Sequence, residues 1–291
     1  MSGRFHIRRA EARSILTGTS GFIAEAGFTH SLTPARNCTY ACTYCYVPTM
    51  GLYGGLQPED WARWGQFTTF KSNAGALLAR ELRANQIIYC SPLVDPYQPA
   101  EETEQQMPGL LDCLLARPPR AFVIQTRGPL VLRDLDTLLE LSRRTIVRVS
   151  FSLSTNREDV RQLYEPHCPK FSERLETIAR LRDAGIAVYA ALAPLLPCDP
   201  EILAEAAVRA TGRDLIGDPL HVRAVKRHGA TTREAAWRIS AVHGFNAWHD
   251  PAFQDEIVDR IQAVARATGF EFTTGPRGFA KLARVNEGVQ A

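Results

Sequence analysis

The chain has 291 residues, of which 45% are hydrophobic and 22% are charged, so it can form one large α/β domain or two small ones. Its formal net charge of +3 is too small to indicate nucleic-acid binding by itself, and any positive patch would have to be local. The N-terminus lacks the apolar stretch of a secretory signal, and no run approaches the roughly 18 apolar residues of a membrane helix. We therefore expect a cytoplasmic protein with no membrane partner, in which seven cysteines indicate metal or redox chemistry rather than disulfides.

The apolar pattern divides most of the chain into alternating strands and helices. Residues 1–30 are mixed in character and read as an irregular extension. The predicted strands are short apolar runs that cover residues 29–32, 86–90, 121–126, 145–153, 186–193 and 220–225. The predicted helices have apolar residues at helical spacing and cover residues 73–84, 105–116, 134–142, 171–184, 201–210 and 255–268.

Strands that alternate with helices of this length imply βαβ units and a parallel sheet. About six strands favour a partial (βα)6 TIM-type barrel over a closed barrel of eight strands. We therefore predict an N-terminal extension over residues 1–30, the barrel over 31–230, and a C-terminal helical extension over 231–291 that packs on the barrel. The site is expected at the carboxyl ends of the strands.

Three cysteines follow the first predicted strand. Cys38, Cys42 and Cys45 have the spacing C-x3-C-x2-C. Three thiolates this close can bind three irons of a [4Fe–4S] cluster and leave the fourth iron without a protein ligand, whereas four-cysteine ferredoxin patterns leave no such opening. The open iron can accept the amine and carboxylate of a small ligand.

Two other interpretations of these cysteines stay open. Structural zinc prefers four ligands, typically two C-x2-C pairs, and a second pair is absent from the sequence. His167 and Cys168 are candidates for the missing ligand, although adjacent residues chelate one metal poorly. The third interpretation is a set of buried free thiols, which the neighbouring Thr, Tyr and Asn residues disfavour.

The cysteine spacing, with an aromatic residue before the third cysteine, resembles the radical S-adenosylmethionine (SAM) superfamily. Further short motifs resemble the spore photoproduct lyase family within it, and together they span roughly residues 28–200. These motifs are Ser31-Leu-Thr-Pro34, Tyr44-Cys45-Tyr46, Asp95-Pro-Tyr-Gln-Pro-Ala-Glu101, Thr126-Arg127, Arg133-Asp134, Ser152-Leu-Ser-Thr155, Glu165-Pro166, Arg174-Leu175, Ala184-Gly185-Ile186 and Ala193-Pro-Leu-Leu-Pro197.

The resemblance implies a partial barrel, a [4Fe–4S] cluster and SAM as cofactors. It implies reductive cleavage of SAM to methionine and a 5′-deoxyadenosyl radical that abstracts hydrogen from a substrate, with an electron donor such as flavodoxin or ferredoxin. A nucleic acid or nucleotide is the expected substrate. The alternatives are a peptide or small metabolite, and an iron–sulfur binding or sensing protein without turnover.

Several SAM contacts follow from the resemblance. Tyr44 is expected to offer backbone contacts to the adenine. Arg127 is expected to pair with the SAM carboxylate, a geometry that the guanidinium fork suits. Ser152 and Ser154 are expected to reach the ribose or the carboxylate.

The second predicted strand carries the remaining expected site residues. Ser91 and Asp95 stand where the family has a Gly-Gly-Glu stretch, so we expect them at the cofactor. Tyr97 is expected to face substrate or SAM. Cys90, 45 residues after Cys45, occupies a place comparable to that of a cysteine thought to return a hydrogen atom to the product radical in the lyase. The alternative for Cys90 is a buried structural thiol.

Two further segments are candidates for contacting a nucleic acid. Residues 221–228 carry five basic or imidazole groups that suit phosphate. Trp61 and Trp64, with Phe67 and Phe70, are candidates for stacking on a base. The ordinary alternatives are a solvated strand end and core packing.

Overall fold

The computed structural model of the protein describes residues 5–49, 63–220 and 234–285. Its strands in chain order are β1 (His6–Ala10), β2 (Leu16–Gly18), β3 (His30–Leu32), β4 (Ala35–Arg36), β5 (Phe67–Lys71), β6 (Ile87–Cys90), β7 (Ala121–Thr126), β8 (Ile146–Ser152), β9 (Ala187–Leu195), β10 (Leu215–Pro219) and β11 (Phe272–Thr274).

The α-helices connect or follow these strands, and short 3₁₀ turns occur at Val47–Thr49, Pro129–Asp134 and Asn246–His249. The described helices are α1 (Gly21–Glu25), α2 (Ala74–Glu81), α3 (Glu101–Glu104), α4 (Gln106–Ala116), α5 (Leu135–Ser142), α6 (Glu158–Tyr164), α7 (Phe171–Asp183), α8 (Pro200–Thr211), α9 (Glu234–His243), α10 (Pro251–Ala267) and α11 (Gly275–Ala283). Within the described ranges, every helix is too short or too polar to span a bilayer.

The main sheet has eight strands in the order β11-β10-β9-β8-β7-β6-β3-β2. All neighbouring pairs from β3 to β11 are parallel, and only the edge strand β2 runs antiparallel to β3. The order is linear, so the sheet is open rather than closed. These observations confirm the predicted α/β class with an open, parallel, partial-barrel sheet.

The sheet buries both of its faces. Alternate strand residues such as Ile88, Phe122 and Val149 pack against the surrounding helices in the larger core. The residues between them, such as Tyr89 and Val123, line the inner face, where residues of α1 and α11 cover them. Parallel strands with both faces covered read as continuous apolar runs, which is why these strands are visible in the sequence.

The last predicted strand differs from the structure. We predicted residues 220–225, but β10 begins at Leu215 and ends at Pro219, and residues 221–225 lie outside the described ranges. Gly217 and Pro219 are poor strand formers, so the hydrophobic pattern of the sequence does not indicate a strand over residues 215–219. A further strand, β11, pairs with β10 from the C-terminal segment.

A second sheet has three strands, in the order β1-β5-β4. Strand β5 pairs in parallel with β1 and in antiparallel with β4. Because β4 ends at Arg36, this sheet leads directly into the loop that carries the three cysteines. The N-terminal segment thus contributes strands to both sheets. The proposed domain boundaries at residues 30 and 230 remain predictions.

Candidate functional site

The cysteine loop begins immediately after β4 with a residue in the left-handed region. Asn37 has a φ of 67°, and its Oδ1 accepts the backbone N–H of Cys38 at 2.8 Å. Two tight turns follow, closed by the Ala41 N–H to Cys38 carbonyl bond and the Cys45 N–H to Cys42 carbonyl bond, both 3.2 Å. Cys42 is buried, whereas Cys38 and Cys45 are half-buried at the edge of the same apolar cluster.

Two neighbouring segments hold the loop in place. Gln98 Oε1 accepts the backbone N–H of Thr39 at 2.8 Å. At the other end of the loop, the Tyr164 carbonyl accepts the Thr43 backbone N–H at 2.9 Å and its hydroxyl at 3.2 Å. The residues between the cysteines are therefore bonded to the β6–α3 connection on one side and to the end of α6 on the other.

A glycine after β7 permits a close approach beside the loop. A Cβ on Gly128 would lie 2.4 Å from the Tyr97 carbonyl oxygen and 2.6 Å from the Tyr40 hydroxyl oxygen. These two groups are hydrogen-bonded, since the Tyr40 hydroxyl donates to the Tyr97 carbonyl at 3.0 Å. Any larger residue at 128 would push the loop away from the carboxyl end of β7.

Arg127, at the carboxyl end of β7, is the charged group beside Cys42. Its Nη1 lies 3.4 Å from Cys42 Sγ, 2.6 Å from the Tyr44 hydroxyl and 2.5 Å from Glu165 Oε1. Asp95 fixes the backbone of Arg127, because Asp95 Oδ2 accepts the Arg127 backbone N–H at 2.8 Å. The structure thus brings the predicted residues Tyr44, Asp95 and Arg127 together with one of the three cysteines.

Glu165 is fully buried between two arginines. Its Oε1 faces Arg127 and accepts the Tyr44 hydroxyl, and its Oε2 accepts Arg174 Nη2 at 2.5 Å. Burial opposes ionisation, but Arg174 and Arg127 outweigh it and lower the pKa of Glu165 to about 2. Glu165 therefore stays a carboxylate that pairs with both guanidinium groups, and the three side chains together keep one net positive charge.

Cys168 lies directly against Cys42, with 3.7 Å between the two sulfur atoms. The contact with Cys168 lowers the pKa of Cys42, burial opposes this, and Arg127 adds to the lowering. Cys42, Glu165 and Cys168 place one ligand atom each within 4.8 Å of one another, a spacing that suits a single ion. Arg127 already contacts Cys42 and Glu165, however, and its positive charge disfavours a cation there.

Three of the predicted site residues lie near the ends of β6 and β8. Ser152 Oγ accepts Gln125 Nε2 at 2.8 Å, and Gln125 in turn accepts the Tyr89 hydroxyl at 2.6 Å on the inner face of the sheet. Ser154 is buried, and none of the described residues supplies a hydrogen-bond partner for its hydroxyl. Ser91 lies 3.4 Å from the Thr33 hydroxyl oxygen.

The side chains of Cys90 and Tyr97 belong to the larger core rather than to the cysteine loop, although the Tyr97 carbonyl accepts the Tyr40 hydroxyl. Both side chains are fully buried in the larger core, on the side of the sheet that faces the helices. Along β6, Tyr89 points to the inner face and Cys90 to the opposite one, as the alternation of a strand requires. This packing favours the structural role of Cys90 over the hydrogen-donor role.

The sequence predicted no site role for Glu165 or Arg174 and none for Cys168 beyond that of a candidate zinc ligand. Glu165 and Arg174 entered only as parts of matching motifs, and Cys168 only as a weak zinc ligand. The sequence signal that could have indicated their pairing is the spacing of Glu165 and Arg174, which stand nine residues apart on either side of the start of α7. Trp64 and Phe67 are buried, whereas Trp61 and residues 221–228 lie outside the described ranges.

The residues present fit a three-thiolate cluster with a small ligand. Thiolates on three separate irons stand farther apart than ligands of a single ion, and the two half-buried cysteines flank the buried one along a loop. The Ser154 hydroxyl, buried without a partner among the described residues, has hydrogen-bonding capacity for a ligand at the end of β8. Arg127 supplies the positive charge that a ligand carboxylate requires.

Comparisons with known proteins agree with this geometry. The family model described as the Radical SAM superfamily matches residues 32–202. The protein Rv2578c of Mycobacterium tuberculosis is 29% identical over 219 residues, which are 70% of this chain and 62% of that protein. The protein MJ0683 of Methanocaldococcus jannaschii is 27% identical over 55% of this chain and 58% of its own length. The chain thus spans about six tenths of the length of these relatives.

Solved structures of spore photoproduct lyase have the same fold. A mutant of that lyase matches with a TM-score of 0.63 and 14% sequence identity, covering 92% of this chain and 81% of the lyase. The lyase complexed with dinucleoside spore photoproduct matches with a TM-score of 0.63 and 13% identity over the same shares. Since the family model covers more than half of the chain, this protein belongs to the radical SAM superfamily.

Proposed function

We propose that this enzyme holds a [4Fe–4S] cluster through Cys38, Cys42 and Cys45 and cleaves SAM reductively at it. The observation that supports this most directly is the cysteine loop, whose buried cysteine lies 3.4 Å from the Arg127 guanidinium. With both groups bound, the cluster and SAM supply methionine and a 5′-deoxyadenosyl radical, which abstracts a hydrogen atom from the substrate. A one-electron donor such as flavodoxin or ferredoxin is the proposed reductant.

Arg127 is proposed to bind the SAM carboxylate. Its guanidinium stands at the carboxyl end of β7, next to Cys42, and it is held there by Glu165 and by the backbone bond to Asp95. Asp95 already accepts hydrogen bonds from the Tyr97 N–H, the Thr126 hydroxyl and the Arg127 N–H. We therefore assign Asp95 a positioning role for Arg127 rather than a direct contact with SAM.

The remaining proposed SAM contacts come from polar groups at the strand ends. Ser154 has a buried hydroxyl suited to the ribose or the carboxylate, and Ser152 is oriented by Gln125. Tyr44 contributes its backbone, because its hydroxyl is used by Glu165 and Arg127. Ser91 follows β6 at the same end of the sheet.

A nucleic acid or nucleotide is the proposed substrate class. The support is the fold, since spore photoproduct lyase with bound AdoMet and dinucleoside spore photoproduct matches over 92% of this chain with a TM-score of 0.62. A peptide or small metabolite is the alternative that the test must exclude.

Deuterium transfer tests the substrate class. The reconstituted enzyme is incubated anaerobically with reductant, SAM and either a deuterated oligonucleotide mixture or deuterated peptides, and 5′-deoxyadenosine is analysed by mass spectrometry. The proposal predicts deuterium in 5′-deoxyadenosine from the nucleic acid alone. Label from peptides alone would assign the enzyme to the other class, and no 5′-deoxyadenosine at all would refute turnover.

A further inference from the structure

A buried thiol outside the cysteine loop, that of Cys168, is held beside it by a hydrogen-bonded turn. The turn follows α6 and is closed by the bond from the Cys168 backbone N–H to the Glu165 carbonyl at 3.0 Å. Arg161 secures the same turn, because its Nη1 donates to the carbonyls of Glu165 and Cys168, each at 2.9 Å. The Glu158 carboxylate orients Arg161 in turn. The fold itself therefore sets the position of the Cys168 thiol.

The Cys168 thiol has one hydrogen-bond partner within the described ranges, the Cys42 sulfur at 3.7 Å. Only 6% of Cys168 and 8% of Cys42 is exposed, so water competes little for this contact. Both residues belong to the apolar cluster that also contains Tyr164 and Leu196. By geometry alone, either sulfur could be the donor.

Iron ligation fixes the direction of this hydrogen bond. A cysteine binds iron as a thiolate, which carries no proton and can only accept a hydrogen bond. Cys42 is the central cysteine of the C-x3-C-x2-C loop and is the proposed ligand, whereas Cys168 lies outside that spacing. The proton of the pair must then lie on Cys168, which becomes the donor to the Cys42 sulfur.

Arg127 is a second donor near the same sulfur, but its N–H groups are shared. Its Nη1 lies 3.4 Å from Cys42 Sγ and also bonds to the Tyr44 hydroxyl and to Glu165 Oε1. The Cys168 S–H, by contrast, has the Cys42 sulfur as its acceptor. The hydrogen bond from Cys168 is thus independent of the SAM contact proposed for Arg127.

We propose that Cys168 donates its S–H to the Cys42 sulfur and thereby raises the reduction potential of the [4Fe–4S] cluster. The inference rests on the proposed function and adds a residue that tunes its reductive step. An added electron increases the negative charge on the sulfur ligands, so a hydrogen bond to one of them stabilises the reduced state more than the oxidised state. Hydrogen bonds to the sulfurs are among the factors that set the potential of such clusters. The apolar surroundings of the pair strengthen the effect.

A redox titration followed by electron paramagnetic resonance tests the proposal. The reconstituted wild type and the Cys168→Ala variant are equilibrated anaerobically at a series of potentials, and the signal of the reduced cluster is measured. Because Cys168→Ala removes the donor, the ratio of reduced to oxidised cluster at a fixed potential should fall about tenfold, which is about 59 mV for a one-electron couple. Cys168→Ser keeps an O–H donor and should retain most of the wild-type potential.

Cys113→Ala is the matched control. This half-buried thiol of α4 bonds to the Gly75 carbonyl at 3.6 Å, so its removal should leave the potential unchanged. An unchanged potential in Cys168→Ala would overturn the proposal, and so would equal shifts in the alanine and serine variants, which would indicate packing rather than donation. Loss of iron from Cys168→Ala would also overturn it, because Cys168 would then be a ligand. A wild type that assembles no cluster would count against the proposed function instead.

Discussion

At the scale of single residues, the site is organised around one buried carboxylate. Glu165 joins Tyr44 of the cysteine loop, Arg127 of β7 and Arg174 of α7. Because both guanidinium groups are largely out of water, losing the negative charge between them would leave two like charges without compensation. The motif residues Glu165 and Arg174 were visible in the sequence, but their meeting with Tyr44 and Arg127 depends on the tertiary fold.

Glu165→Gln should therefore lower the free energy of unfolding by about 3 to 5 kcal/mol at neutral pH, measured in urea. The control is Glu176→Gln, at an exposed position on α7, the helix that carries Arg174, and it should change little. Since the pKa of Glu165 is lowered to about 2 in the folded protein, its contribution is complete above pH 4.5 and is lost as the pH falls toward 2. A difference between wild type and variant that stays constant over this window would contradict the assignment.

Alanine variants of the four cysteines near the site should differ in iron content. Alanine at Cys38, Cys42 or Cys45 should abolish the iron and sulfide of a reconstituted cluster, because each removes one of three ligands. Cys168→Ala should retain the cluster, although Cys168 touches Cys42. Iron and sulfide analysis with electron paramagnetic resonance of the reduced protein makes the comparison. Loss of the cluster in Cys168→Ala with retention in any of the other three would require a different ligand set.

Replacing Cys90 should not affect the cleavage of SAM. It lies in the helix-facing core, so Cys90→Ala is expected to leave the formation of 5′-deoxyadenosine intact. The hydrogen-donor prediction further requires that the substrate-derived products change in this variant. Product analysis by mass spectrometry decides, and an unchanged product profile would remove Cys90 from the mechanism.

At the scale of elements, the C-terminal segment reaches the cysteine loop through a buried hydrogen-bonded chain. The Tyr164 hydroxyl and Ser240 Oγ are 2.6 Å apart, and Ser240 Oγ is 2.6 Å from His249 Nε2. Trp237 stacks on His249 with ring centres 4.0 Å apart. Because the Tyr164 carbonyl holds Thr43, helix α9 and the turn at His249 support the cysteine loop from behind.

Ser240→Ala should weaken this support. It leaves the Tyr164 hydroxyl and the His249 ring nitrogen without their shared partner, at a cost of about 1 to 3 kcal/mol for each buried group left unpaired. Amide hydrogen exchange should become faster over residues 40–45 and 234–249. Ser172→Ala, at an exposed position, is the control. Faster exchange confined to residues 234–249 would show that the chain does not reach the loop.

The elements visible in the sequence are those with strong local signals. Strands β6 to β9 lie within a residue or two of their predicted positions because they are continuous apolar runs between helices. Strands β10 and β11 were missed, since Gly217 and Pro219 interrupt the first and the second has only three residues. The β1-β5-β4 sheet depends on pairing between distant segments, which no local pattern records.

At the scale of the whole molecule, an open parallel sheet collects its polar groups at one end. Asp95, Arg127 and Ser154 follow the neighbouring parallel strands β6, β7 and β8, which places them at one end of the main sheet. The cysteine loop follows β4 of the three-stranded sheet and is joined to them by tertiary contacts. The sequence could therefore predict where the site lies. It could not predict which side of β6 Cys90 occupies, or that Cys168 touches Cys42, because these depend on packing between the loop, the sheet and α6.

The most direct test of radical SAM chemistry at this loop measures 5′-deoxyadenosine. The wild type and the Cys42→Ala variant are reconstituted anaerobically with iron and sulfide and then incubated with reductant and SAM. The wild type should form 5′-deoxyadenosine and the variant should form none. Absence of the nucleoside in a wild type that contains an intact cluster, or its continued formation by the variant, would contradict the account.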